Sequence, residues 1–112
     1  MDERDNVSLW VKFPVDGWGT IEDLDFRHRL EDVLTELLEH HQLGLWEGSG
    51  QGGGVQDVSY SVPTSGLEAA WEVVRAKLVE LGVLQRATVE AFFHDEDGPP
   101  WQLWPYRNLP KR

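Results

Sequence analysis

Leu43-Gly44-Leu45-Trp46-Glu47-Gly48-Ser49-Gly50-Gln51-Gly52-Gly53-Gly54-Val55-Gln56-Asp57-Val58-Ser59-Tyr60-Ser61-Val62 is the stretch that decides the fold. Residues 43–47 and 55–62 read as two strands joined by the glycine tract. In the second, Val58, Tyr60 and Val62 alternate with Asp57, Ser59 and Ser61, which gives one apolar and one polar face. Gly48, Gly50 and Gly53 match G-x-G-x-x-G letter for letter. That fingerprint holds a pyrophosphate only between a strand and a helix N-terminus. Here a second strand pattern follows, and no Lys or Arg occurs between Arg29 and Arg75. A hairpin is expected, with glycine supplying the turn's backbone freedom.

Outward from the hairpin the pattern repeats. Residues 8–15 alternate as a strand, with Leu9, Val11 and Phe13 opposed by Trp10 and Lys12, until Pro14 ends the ladder. Thr20 with Asp23 three residues on has capping-box spacing, and Glu22 adds acid to the first turn. Phe26, Leu30, Val33, Leu34, Leu37, Leu38 and His41 then recur at helical spacing, to a stop near Leu43-Gly44. Ser65-Gly66-Leu67-Glu68 has the capping-box spacing again. Leu67, Ala70, Trp71, Val74, Leu78 and Leu81 form a second stripe that ends at Gly82. Residues 87–93 make the last strand, with Val89, Ala91 and Phe93 opposed by Thr88, Glu90 and Phe92.

The order strand–helix–strand–hairpin–strand–helix–strand predicts an α+β fold. More narrowly, it predicts a ferredoxin-like βαββαβ two-layer sandwich, an antiparallel sheet with both helices on one face. The whole chain, 1–112, is expected to be a single domain, with 1–7 an N-terminal arm and 95–112 an irregular C-terminal tail. Pro99, Pro100 and Pro105 argue against regular structure in that tail, while Trp101, Leu103, Trp104 and Tyr106 are too apolar to stay solvated. The sheet face away from the helices should carry Trp10, Lys12, Trp46, Phe92, Ser59 and Ser61. An open face with three large aromatics calls for a cover, either the tail or another chain.

Twenty Asp and Glu against ten Lys and Arg give a formal net charge of −10. Nucleic-acid affinity rests mainly on cations that displace counterions from phosphates, so nucleic acid is not an expected partner. The longest apolar runs fall far short of the ~20 residues a membrane span requires, and the first residues are charged; a cytoplasmic protein without a membrane is expected. Glu31, Asp32, Glu36, Glu39, Glu47, Asp57, Glu68 and Glu72 all fall between Arg29 and Arg75. Such a field attracts basic proteins and speeds their encounter.

Catalytic signatures are sparse. There is no cysteine, and Ser49, Ser59, Ser61 and Ser65 lack a nucleophile elbow. His40 and His41 are sequence neighbours that point about 100° apart on a helix, and no His-x-x-x-His pair exists. No metal, cofactor or catalytic residue is expected. If chemistry occurs, His94 or His41 beside the aromatic sheet face is the place for it.

Gly44-Leu45-Trp46-Glu47-Gly48-Ser49-Gly50-Gln51-Gly52-Gly53-Gly54-Val55-Gln56-Asp57-Val58, followed by Leu67-Glu68-Ala69-Ala70-Trp71 and Leu81-Gly82-Val83-Leu84, resembles small uncharacterised bacterial ferredoxin-like proteins. Some of these are similar to immunity proteins of polymorphic toxin systems, which are short, acidic, cytoplasmic and without catalytic residues. The likeness covers residues 43–93 and implies a fold and a binding role; no functional residue carries over from it.

Three functional expectations follow. In the first, a non-catalytic acidic binding protein of immunity type neutralises a basic protein through Glu31, Asp32, Glu36, Glu39 and Glu47, with Trp10 and Trp46 as anchors. In the second, a ferredoxin-like dimer binds a small ligand or performs cofactor-free catalysis in a pocket between the aromatic sheet face and the tail, lined by Trp10, Trp46, Phe92, His94, Trp101 and Trp104. In the third, the chain is a homodimer through the sheet face with no further activity.

Overall fold

A computed structural model describes residues 6–17, 19–94 and 100–105. Their order is β1 (Asn6–Pro14), α1 (Ile21–His40), β2 (Leu45–Gly52), β3 (Val55–Pro63), α2 (Leu67–Glu80), β4 (Thr88–Phe93) and β5 (Trp101–Trp104). The five strands form one antiparallel sheet in the order β2-β3-β1-β4-β5, and two helices pack on it. The chain is therefore α+β.

Period-two alternation sets the layers. Val7, Leu9, Val11 and Phe13 of β1, Val58, Tyr60 and Val62 of β3, and Val89 of β4 are buried on one face. Leu30, Leu34 and Leu38 of α1 and Ala70, Val74 and Leu78 of α2 complete that core, one apolar stripe per helix. Thr20 caps α1 as its spacing implies. Its Oγ1 accepts from the Asp23 N–H at 3.1 Å, and its own N–H donates to Asp23 Oδ2 at 2.9 Å. The corresponding box on α2 does not form: Thr64–Gly66 is a 3-10 turn, and Gly66 caps without a side chain.

Several boundaries differ from the sequence reading. β1 starts at Asn6, so the expected arm 1–7 already contains two strand residues; residues 1–5 lie outside the described residues. α1 ends at His40, where Gln42, at φ 56°, turns the chain. Gly44 has a different job: a Cβ there would sit 3.1 Å from both Ser61 O and Val62 Cγ2. Most of the glycine tract is strand, since β2 continues through Gly52 and pairs Ser49 with Val58 and Gly50 with Asp57. Only Gly53 and Gly54 turn the hairpin. Both have positive φ, 62° and 83°, as a two-residue hairpin of the twist-matching kind requires.

The tail expected to be irregular contains β5. Ala91, Glu90 and Val89 of β4 pair with Trp101, Gln102 and Trp104, with a bulge that leaves Leu103 over. Pro100 and Pro105 flank the strand, where proline does least harm to a ladder. The Trp104 indole donates to Leu84 O at 2.9 Å, and Leu103 and Trp104 pack against the core. Residues 95–99 and 106–112, the rest of that tail, lie outside the described residues.

Candidate functional site

A shallow, open groove of about 840 Å³ lies along the flank of α1 beside Trp46 of β2, lined by Glu31, Asp32, Thr35, Glu36, Glu39, His40 and Trp46. Helical geometry builds one wall. Residues 31, 35 and 39 stack at i, i+4 spacing on the flank of α1 nearest β2, and residues 32, 36 and 40 form the next row. Trp46 provides the floor. It stands directly opposite Tyr60, hence on the helix side of the sheet, and its indole N–H donates to Glu31 Oε2 at 3.0 Å.

Trp46 thus lies on the face opposite to the one its sequence position suggests. A bulge between Trp46 and Gly48 is the cause: Glu47 is the extra residue, and the alternation restarts beyond it. Glu47 instead reaches over the open face, where its Oε2 accepts from Ser8 Oγ at 2.9 Å.

Tyr60 registers the groove's charge. Its hydroxyl donates to the Glu31 carbonyl at 3.0 Å and lies 3.0 Å from Thr35 Oγ1. Burial pushes the phenol up to about 12; the Thr35 bond opposes this, and the negative charges of Glu31, Asp32 and Glu39 add to it. Among the described residues no ion pair engages Glu31, Asp32, Glu36 or Glu39. Among the described residues, the groove therefore presents four carboxylates without an ion-pair partner beside a tryptophan that is 49% exposed.

The open face of the sheet is a separate region. Trp10 and Phe92 meet edge to face with centroids 5.7 Å apart, and Lys12 lies beside Trp10 and pairs with Glu90. Burial holds the Asp57 carboxyl above its usual range, against the pull of Lys12 and Arg27. Ser8, nearly buried, bridges Glu47 and His94: its single proton goes to Glu47, which leaves the oxygen to accept from His94 Nε2–H at 3.1 Å. In a nucleophilic triad the imidazole takes the serine proton and the acid orients the imidazole. Here the carboxylate accepts the serine hydrogen bond and does not orient the imidazole, so the trio ties β1, β2 and the end of β4 together in an arrangement unlike that triad.

The sequence-predicted residues therefore divide between two faces. Glu31, Asp32, Glu36, Glu39 and Trp46 share the groove, while Glu47 and Trp10 lie across the sheet from them. Of the predicted pocket, Trp10 and Phe92 meet on the open face, where His94 touches Ser8 and neither aromatic ring. Trp46, Trp101 and Trp104 do not join them. Trp101 pairs with Ala91 and packs on Phe93 at 5.1 Å, and Trp104 reaches Leu84, both on the helix side. Sequence reading missed Thr35 and His40, although their i+4 spacing from Glu31 and Glu36 was the signal for them. Ser8 was missed too; it carried no motif.

Among the described residues no group of three or more His, Cys, Asp or Glu could hold a metal ion. No helix among them is long and apolar enough to cross a membrane. β3, not a helix, follows Gly54, so the glycine tract lacks the geometry of a dinucleotide cradle. No family model, curated protein or solved structure matches the chain.

Proposed function

We propose that this chain is a non-catalytic acidic binding protein, of the immunity type, that neutralises a basic protein partner in the cytoplasm through the α1–β2 groove. The observation that carries this reading is the convergence of Glu31, Asp32, Glu36 and Glu39 with the half-exposed Trp46 on one surface. Fixed charge of one sign, without an ion-pair partner among the described residues, favours an oppositely charged ligand and accelerates its approach. An exposed indole beside it is the kind of anchor that dominates protein interfaces. We also read β1–β4 with the two helices as a ferredoxin-like unit to which β5 is added. The order β2-β3-β1-β4 and the antiparallel neighbours support that reading.

Titration with poly-L-lysine at low salt tests the function. The wild type and Trp10→Ala should bind alike, while the Glu31→Gln/Asp32→Asn/Glu36→Gln/Glu39→Gln variant should lose most of the affinity. A charge-matched control with Asp16, Asp25, Glu68 and Glu72 neutralised should keep it. Equal loss in the two four-site variants would reduce the effect to net charge and overturn the groove reading.

A second reading, a dimer with a small-ligand pocket on the open face, draws support from the Trp10–Phe92 pair and the nearby Ser8–His94 contact. It makes Trp10→Ala the damaging substitution and the acidic groove irrelevant.

A further inference from the structure

We infer that the groove's occupant is an extended basic segment of the partner, which adds to the sheet as a sixth strand along the outer edge of β2. This rests on the acidic-groove reading and says how that groove is filled.

The two edges of the sheet differ. β5 is four residues long, bulged, and bracketed by Pro100 and Pro105, all devices that discourage pairing. β2 is eight residues long, Leu-Trp-Glu-Gly-Ser-Gly-Gln-Gly, without proline or lysine, and beyond its own bulge at Glu47 it runs unbroken over 48–52. It pairs only with β3, and among the described residues no backbone group elsewhere bonds its outer edge. Gly48 and Gly50 give that edge little side-chain bulk to obstruct an incoming strand.

Charge decides what would pair there. The flank of α1 bearing Glu31, Thr35 and Glu39 faces this side of the sheet, as the Trp46–Glu31 and Tyr60–Thr35 contacts establish. A strand laid along β2 would send every second side chain toward that flank. Lysines or arginines at those positions would meet Glu31, Asp32, Glu36 and Glu39, and Trp46 would lie against their aliphatic stems. A second copy of this chain fits poorly, since β2-to-β2 pairing would bring two α1 carboxylate rows side by side on one face of the joined sheet. Backbone pairing would supply affinity and the acidic row would supply selectivity, as in strand-addition recognition generally.

The test uses the intact protein and two peptides of alternating Arg and Thr, ten residues long. One is unmodified; the other is methylated at every backbone nitrogen, with equal charge and no backbone donors. The unmodified peptide should bind at low salt and slow hydrogen exchange of amides within 45–52. The methylated one should bind at least about tenfold more weakly, the loss of two or more net hydrogen bonds. Equal binding of both peptides, without new protection in β2, overturns strand addition and leaves the acidic groove standing. Binding of neither overturns both. Concentration-dependent protection of β2 in the protein alone would assign the edge to a second copy and overturn the proposal.

Discussion

The Trp46 indole N–H donates to Glu31 Oε2 at 3.0 Å, so the outermost strand is tied to the acidic flank of α1 by a bond that water can reach. An exposed bond of this kind fixes geometry more than it stabilises, because water competes for both partners. Phe at position 46 keeps most of the apolar area and deletes the donor. Trp46→Phe should shift the urea unfolding free energy by less than about 1 kcal/mol and lower poly-L-lysine affinity several-fold. A destabilisation well above that bound would make the ring a core element and not a surface anchor.

Glu36, on the outer row of the groove, has Asp32 four residues before it and Glu39 three residues after it. Like charges at this spacing oppose the helix, whereas acid followed by base supports it. Glu36→Lys should therefore raise stability by about 0.3–0.5 kcal/mol, measured by thermal or urea unfolding at low ionic strength. The same change should weaken binding of a basic probe. Added salt should erase the stability gain, because the pair is exposed and screened.

Tyr60 makes stability depend on alkaline pH. Its folded pKa, about 12, lies above the ordinary value of 10.0, so the folded chain holds the phenolic proton more tightly than the unfolded chain. The contribution is complete below the ordinary pKa and disappears as pH rises through the folded one. Unfolding free energy should fall between those two values. Tyr60→Phe removes the bonds to Thr35 and the Glu31 carbonyl and should cost about 1–2 kcal/mol at neutral pH, with a shallower alkaline decline. Parallel alkaline slopes for the two proteins would show that Tyr60 is not the titrating group.

The helices and the inner strands were legible because apolar side chains mark their faces at every second or every third to fourth position. The face of Trp46 was not. From Gly48 onward β2 offers glycine, serine and glutamine, which carry no inside–outside signal, so nothing in the sequence disclosed the bulge at Glu47 that reverses the alternation. The acidic half of the groove was readable from the helical spacing of Glu31, Asp32, Glu36 and Glu39. Its floor was not readable, since that depends on which way the bulged strand turns. β5 was hidden for another reason. Three prolines near Trp101–Trp104 read as breakers, yet Pro100 and Pro105 stand just outside the strand, where the ladder loses nothing.

Trp104 provides the check on that strand. Its ring packs on the core, its indole N–H satisfies the Leu84 carbonyl at 2.9 Å, and its backbone pairs with Val89. Trp104→Ala removes a large apolar contact and one of the two donors to the Leu84 carbonyl, which keeps the Ala87 N–H at 3.0 Å, and it loosens the edge of the sheet. For a half-buried tryptophan the cost should be about 2–4 kcal/mol, below the full range for a buried one because part of the ring already meets water. Trp104→Phe should recover the packing but not the hydrogen bond, which places it between the wild type and Trp104→Ala in urea unfolding. The open-face substitution Trp10→Ala breaks no such bond among the described residues and should cost less than Trp104→Ala. If Trp104→Ala proves as mild as a surface change, β5 is not part of the cooperative fold, and the sheet would then end, unguarded, at β4.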